Sequence, residues 1–314
     1  MKSNFLDVEG TIGVDERARA ARISVVSNAF LVLLKLATGL ATNSLSVISE
    51  AIHSGMDLLA AVIAYFSVRA ASKPADFEHR YGHGKVENVA GTVEALLIFG
   101  AAVVVIAEAI KKLRLGAEVV QPGIGMAVMG LSALINVFVS NYLFKVAKKT
   151  QSVALEADAW HLRTDVYTSA GVMVGLVAIE ITGLNWLDPL AALVVAALIL
   201  GAAYRLTREA FTPLMDVCLP EEEERLIKEI ISSYADQYVE FHKLRTRKAG
   251  RERQIDLHLV VPGRQSVAQA HRLSDRITAA IKDALPYTQV LIHLEPCGED
   301  EGCRGCSTCP REEA

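Results

Sequence analysis

Residues 46–68 read SVISEAIHSGMDLLAAVIAYFSV. The stretch is long enough to cross a bilayer as a helix, which takes about 20 mostly apolar residues. Yet it carries His53 and Asp57 near its middle. In a helix, positions i and i+4 share a face, so both polar side chains point the same way. A second apolar stretch repeats the device: residues 157–166, ADAWHLRTDV, hold His161 and Asp165 at the same spacing. Ionisable groups inside a span are costly and are functional candidates by default.

Working outward, apolar runs of spanning length fall at 23–41, 46–68, 88–110, 124–144, 155–182 and 187–204. The 314-residue chain is 52% hydrophobic and 22% charged, but nearly all the long apolar runs precede Arg205. The pattern predicts six transmembrane helices within 23–204. A soluble protein with a large buried helical core is the alternative, and six such runs separated by short polar loops are hard to pack that way. Residues 1–22, MKSNFLDVEGTIGVDERARAAR, read as a polar N-terminal segment without the apolar core and cleavage site of a signal peptide. A net charge of −4 gives no reason to expect nucleic acid as a partner.

Orientation follows from Lys and Arg near the span ends. If the helices alternate, Arg17, Arg19, Arg22, Arg69, Lys73, Arg80, Lys85, Lys145, Lys148, Lys149, Arg205 and Arg208 fall on one side, and Lys111, Lys112 and Arg114 on the other. The richer side is the cytoplasm, which places both termini inside.

Residues 213–296 change character. PEEEERLIKEIISSYAD opens on Pro220 and acids, as a helix N-terminus does. VEFHKLRTRKAG and RERQIDLHLVVPG alternate as strands do, with Lys-Ala-Gly suited to a hairpin between them. SVAQAHRLSDRITAAIKDAL reads as a second amphipathic helix and TQVLIHLEP as a last strand. The order α-β-β-α-β predicts a small cytoplasmic α+β domain of ferredoxin-like type, small enough to draw stability from a second copy.

Two neutral imidazoles and two carboxylates, half from each helix, make a set suited to tetrahedral zinc. A lone intramembrane His or Asp is as well explained by a hydrogen bond to a neighbouring helix; the repeat of His-x-x-x-Asp favours metal. Lys35, Glu94 and Glu108 are expected to line the cavity or reach its ends, and Asn136 and Asn141 to make helix–helix contacts.

The loop at 73–88, KPADFEHRYGHGKVEN, adds a further motif. With it, the chain from about residue 20 to residue 296 resembles the cation diffusion facilitators, dimeric efflux transporters for divalent metals. The resemblance implies proton-coupled export from the cytoplasm by a homodimer joined through its C-terminal domain, in a bacterial inner membrane. It implies a transport site of His53, Asp57, His161 and Asp165. Members with Asp at the His53 position tend to accept iron and cadmium as well as zinc, and manganese-type members replace the span-five His with carboxylate. His/Asp on both helices therefore points to Zn2+, with Fe2+, Cd2+ and Co2+ as alternative substrates. Asp76, His79 and His83 correspond to a loop metal site, with an ordinary solvated loop as the alternative. His242, His258, His271, His293 and Glu295 correspond to a binuclear site at the domain's dimer interface. Members usually show Asp where this chain has Glu295.

Beyond the family's usual domain, residues 297–314 form a Cys-rich tail, CGEDEGCRGCSTCPREEA. Cys297, Cys303, Cys306 and Cys309 follow C-x5-C-x2-C-x2-C, and Cys218 is the fifth cysteine. Clustered cytoplasmic thiols suggest zinc, copper(I) or redox sensing; a solvated tail is the alternative. A membrane metalloenzyme would need an open coordination position and a general base, and there is no H-E-x-x-H helix. A metal sensor would not need six spans.

Overall fold

The computed structural model describes residues 4–42, 45–115, 124–182 and 186–297. The chain divides into two units, Met1–Leu214 and Met215–Ala314. The described residues of the first unit form α1 (Asn4–Thr42), α2 (Leu45–Ala71), α3 (Lys85–Leu115), α4 (Ile124–Thr150), α5 (Val153–Thr182) and α6 (Leu187–Phe211). Among the described residues, α1–α4 and α6 each contain a stretch long and apolar enough to cross a membrane. α5 has 30 residues, about 45 Å at 1.5 Å per residue. α1 packs on α2 and α4, α3 on α5 and α6, and α2 touches α5.

Small residues set how closely these helices approach. Ala20, Ala21, Ala147, Ala154 and Ala159 are fully or nearly buried in one cluster with Leu143, Leu155 and Leu162. Lipid offers little hydrophobic drive between helices, so close packing of small side chains carries the association. At Gly171 of α5, an added Cβ would lie 2.6 Å from Val195 Cγ2 of α6; only hydrogen fits there.

One boundary differs from the sequence reading. α1 starts at Asn4, so most of residues 1–22 continue the first membrane helix. VDERARAAR, 14–22, contains good helix formers and neither proline nor glycine. Arg17, expected as a boundary charge, is 1% exposed and paired with the equally buried Glu87 of α3. Its Nη2 also donates to Ser72 Oγ (2.8 Å), and Ser152 donates to Glu87 Oε2 (2.6 Å). One ion pair thus joins α1 and α3 to the end of α2 and the α4–α5 junction.

A short 3-10 turn, Thr212–Met215, leads into the second unit, which contains α7 (Glu221–Ser232), β1 (Glu240–Ala249), β2 (Glu252–Val261), α8 (Val267–Ala284) and β3 (Thr288–Pro296), in the expected order. The sheet runs β1-β2-β3, antiparallel then parallel. Gly250, at φ 58°, begins the two-residue β1–β2 turn, where a positive φ favours glycine. Four glutamates in the first turn of α7 suit its positive end. Ser266 and Gln269 form a capping box on α8. Ile227 and Ile231 of α7, Leu273, Ile277 and Ile281 of α8, and Ile255, Leu257 and Leu259 of β2 make one core. Both helices therefore cover the same sheet face. Even-numbered β2 residues, His258 among them, point to the opposite face.

Candidate metal centres

α2 and α5 bring their paired side chains together. Ligand atoms of His53, Asp57 and Asp165 all lie within 4.8 Å of one another. His161 joins through Asp57: its Nε2 is 3.0 Å from Asp57 Oδ1. Asp57 and His161 are buried, Asp165 is half-buried and His53 is exposed. The i, i+4 spacing brings one pair from each helix into the same neighbourhood, three of the four residues clustering directly and His161 only through Asp57. His161 Nδ1 is buried without a hydrogen-bond partner. Three donors close together, with a fourth held against one of them, can bind a small divalent ion in place of part of its water shell.

Neighbours hold this constellation. Asn136 Nδ2 donates to Asp165 Oδ2 at 3.5 Å, so a residue expected to join helices also orients a ligand. Asn141 keeps the helix–helix role, accepting from Arg163. Buried Lys35 donates to Ser54 Oγ at 2.7 Å, beside His53. Glu108 lines a cavity of about 120 Å³ with Lys112, Thr168 and Val195. Sequence reasoning does not single out Asp158, which is buried three residues before His161; its signal is one more ionisable group inside run 155–182.

In the α2–α3 loop, Asp76, His79 and His83 come together. Asp76 Oδ1 accepts from the backbone N–H of His79 (2.6 Å) and Glu78 (3.0 Å). Its carboxylate lies 3.3 Å from His79 Nδ1 and 3.2 Å from His83 Nε2. The His79 amide, above all, holds the Asp76 carboxyl below its ordinary pKa. The loop therefore presents one fixed carboxylate and two imidazoles at the surface.

On the open face of the sheet, three histidines stand in register: His242 opposite His258, and His258 beside His293. Glu295, two residues beyond His293, is the hub. Its Oε1 is 2.6 Å from His258 Nδ1, and its Oε2 is 3.1 Å from His242 Nε2. His293 Nε2 is 3.8 Å from Glu295 Oε1. The longer glutamate thus reaches imidazoles on all three strands. The hydrogen bond from His258, foremost, lowers the Glu295 pKa. A β-bulge follows His242, with Lys243 at φ 52°, re-aiming the strand beside the cluster. Imidazoles with a carboxylate fit zinc. His271 is not brought to this cluster within the chain. It lies on exposed α8 surface with its Nε2 3.6 Å from Asp275 Oδ2, because α8 covers the other sheet face.

Of the tail thiols, Cys297 closes β3, its Sγ accepting from Gly263 N at 3.3 Å; Cys303, Cys306 and Cys309 lie outside the described residues. Cys218 is free and exposed.

Comparisons with known proteins identify the two domains. Residues 21–215 match the cation efflux transmembrane domain, and 219–297 match the cytoplasmic domain of cation efflux proteins. The transporter sll1263 of Synechocystis sp. is 37% identical over 263 residues, covering 84% of this chain and 85% of that one. The cation-efflux pump FieF of Citrobacter koseri is 32% identical over 285 residues, covering 89% and 93%. A solved chain of CzrB in its Zn form, described in connection with zinc transport, is 39% identical, covers 28% of this chain and 99% of that one, and has a TM-score of 0.26. With both domain families spanning it from residue 21 to residue 297, the chain belongs to the cation diffusion facilitators and is a multi-pass membrane transporter for divalent metal efflux, with a cytoplasmic dimerisation domain.

Proposed function

We propose that the chain exports Zn2+ from the cytoplasm in exchange for protons, as a homodimer working by alternating access. The membrane is the bacterial inner membrane, with both termini on the cytoplasmic side. The observation that carries this reading is the convergence of His53, Asp57 and Asp165, with His161 bound to Asp57, between two membrane helices. Two imidazoles favour zinc over harder magnesium or manganese. Imidazole binds metal only when neutral, so protons and zinc compete for the same nitrogens. Zinc loads from the cytoplasm, the helices rearrange, protons from the more acidic side displace it, and the protonated site returns. The Asp76 loop supports a lower-affinity loading role, and the Glu295 cluster a resident zinc that strengthens the dimer.

The mixed set of two imidazoles and two carboxylates also accommodates neighbouring divalent ions, which favours a second reading: a broader exporter that also carries Fe2+, Co2+ or Cd2+. Proteoliposomes with a proton dye inside test both. Zinc uptake with opposed proton flux, abolished in Asp57→Ala, is expected. Zinc moving with no proton flux refutes antiport, and Asp57→Ala still moving zinc against a pH gradient refutes the site. Equal flux of iron, cobalt or cadmium establishes the broader range.

A further inference from the structure

Two carboxylates inside the bundle have no part in that cycle. Glu94 of α3 and Asp158 of α5 are both 0% exposed, and none of their four carboxylate oxygens has a hydrogen-bond partner. They sit on either side of the α3–α5 seam, where Ala95 and Ile98, beside Glu94, share one cluster with Ala157, beside Asp158, near enough for each to feel the other's charge. α6 contributes Ile199, Ala203 and Leu206 to that cluster, while its charged Arg205, Arg208 and Glu209 are exposed. Among the described residues, no cation is supplied from that side. From α1, Ser24 lies beside Asp158 without completing a hydrogen bond. Beyond Asp158 are Asp57 of α2 and His161 of α5. Asp158 lies on the side of His161 read above as cytoplasmic.

An ionised carboxylate buried without donor or counter-ion is strongly unfavourable. Two buried in the same neighbourhood cannot both be ionised at low cost, so such a pair retains a proton. A divalent ion arriving at the neighbouring site changes that balance, because its positive charge favours ionisation nearby. By linkage, zinc binding then expels a proton from the pair, and zinc departure draws one back.

We propose that Glu94, opposed by Asp158, is a proton-carrying site of the antiporter separate from the metal ligands. The Glu94 O–H proton passes to water on the cytoplasmic side when zinc loads. The carboxylate takes a proton back from the outer side after zinc leaves. Asp158 acts on Glu94 through its charge and touches no zinc. This inference rests on the proton-coupled reading above and adds a second carrier to it.

The test uses the full-length dimer in detergent, with zinc alone as ligand. Calorimetry in buffers of different ionisation enthalpy counts protons released per zinc at the transport site, with the cytoplasmic clusters already saturated. Glu94→Gln is expected to keep zinc affinity within about tenfold while releasing about one proton fewer per zinc. In proteoliposomes its proton-to-zinc ratio should fall correspondingly, and Glu94→Asp should restore it. An unchanged proton count in folded Glu94→Gln overturns the proposal. So does an affinity loss as large as that of Asp57→Ala, which would make Glu94 a ligand. Should Glu94→Gln fail to fold, Asp158→Asn is measured instead; a lowered proton count supports the proposal and an unchanged one overturns it. If the wild-type protein releases no proton at all, the antiport reading itself fails, a result distinct from an intact wild-type count with an unaltered variant.

Discussion

His161 Nε2 and Asp57 Oδ1 lie 3.0 Å apart in the interior of the bundle, with both side chains buried. The contact ties α5 to α2 at the level where the candidate ligands meet. It also means that one ligand of each helix is already oriented toward the other. Replacing Asp57 with Asn preserves size but removes the charge and the strongest acceptor. Zinc affinity at the transport site should fall by more than the roughly 10–100-fold that loss of an outer-sphere partner costs. His161→Gln should weaken zinc similarly while leaving the Glu295 cluster unaffected. Titration with the cytoplasmic histidines replaced measures both, and near-native affinity in either variant would contradict the assignment.

Arg17 and Glu87 are a buried ion pair that also contacts Ser72 and Ser152. Removing one partner takes the ion-pair counter-charge from the other inside the bundle, which costs about 3–5 kcal/mol in comparable buried pairs. Arg17→Met alone and Glu87→Leu alone should each sharply lower thermal stability in detergent. The double variant should be more stable than either single, because no charge is then left unpaired. Additive losses across this double-mutant cycle would show that the pair carries no coupling.

Much of this arrangement is legible in the sequence, for identifiable reasons. Helical spacing fixes which side chains share a face, so the two His-x-x-x-Asp repeats mark out a candidate site before any contact is known. Strand alternation likewise puts His293 and Glu295 on one face. What spacing does not encode is which distant positions meet. The Asn136–Asp165 and Arg17–Glu87 contacts arise from helix packing, with sequence separations of 29 and 70. The reach of Glu295 depends on strand register, which aligns His242, His258 and His293 across three strands. The start of α1 escapes a reading by polarity, which suggests a separate segment, although VDERARAAR has high helix propensity.

The Glu295 carboxylate joins His258 and His242, and the His258 hydrogen bond keeps its pKa below the ordinary glutamate range. It therefore remains an anionic acceptor throughout neutral pH. Imidazole binds metal only as the neutral ring, so protons compete with the metal on the acid side. Zinc should raise the melting temperature of the cytoplasmic unit at pH ~7.5 and lose that effect below about pH 6. Glu295→Gln should diminish the zinc-dependent rise at every pH, and Glu295→Asp should restore it only if the shorter chain still reaches both imidazoles. Differential scanning fluorimetry with zinc and with chelator reads this directly. An undiminished rise in Glu295→Gln would remove Glu295 from the ligand set.

Glu223 supplies the last prediction. Its two oxygens accept from Arg253 Nε at 2.8 Å and Nη2 at 2.7 Å, and Arg253 is 2% exposed while also donating to Pro286 O at 3.0 Å. The fork-shaped pairing anchors the first turn of α7 to β2 and to the α8–β3 junction. The Arg253 hydrogen bonds, chiefly, lower the Glu223 pKa from an unfolded value near ~4.3. A depressed folded pKa means the stabilisation is fully present above the unfolded value and lost as pH falls through the folded one. Glu223 is partly solvated, which screens the interaction, so Glu223→Gln should cost about 1–2 kcal/mol at pH ~7. The deficit should shrink as pH drops below about 4, because the wild-type carboxylate is then neutralised as well. Melting curves of wild type and variant between about pH 7 and pH 3 would show the two converging. A gap that stays constant over that range would mean the interaction is not the charged one seen between Glu223 and Arg253.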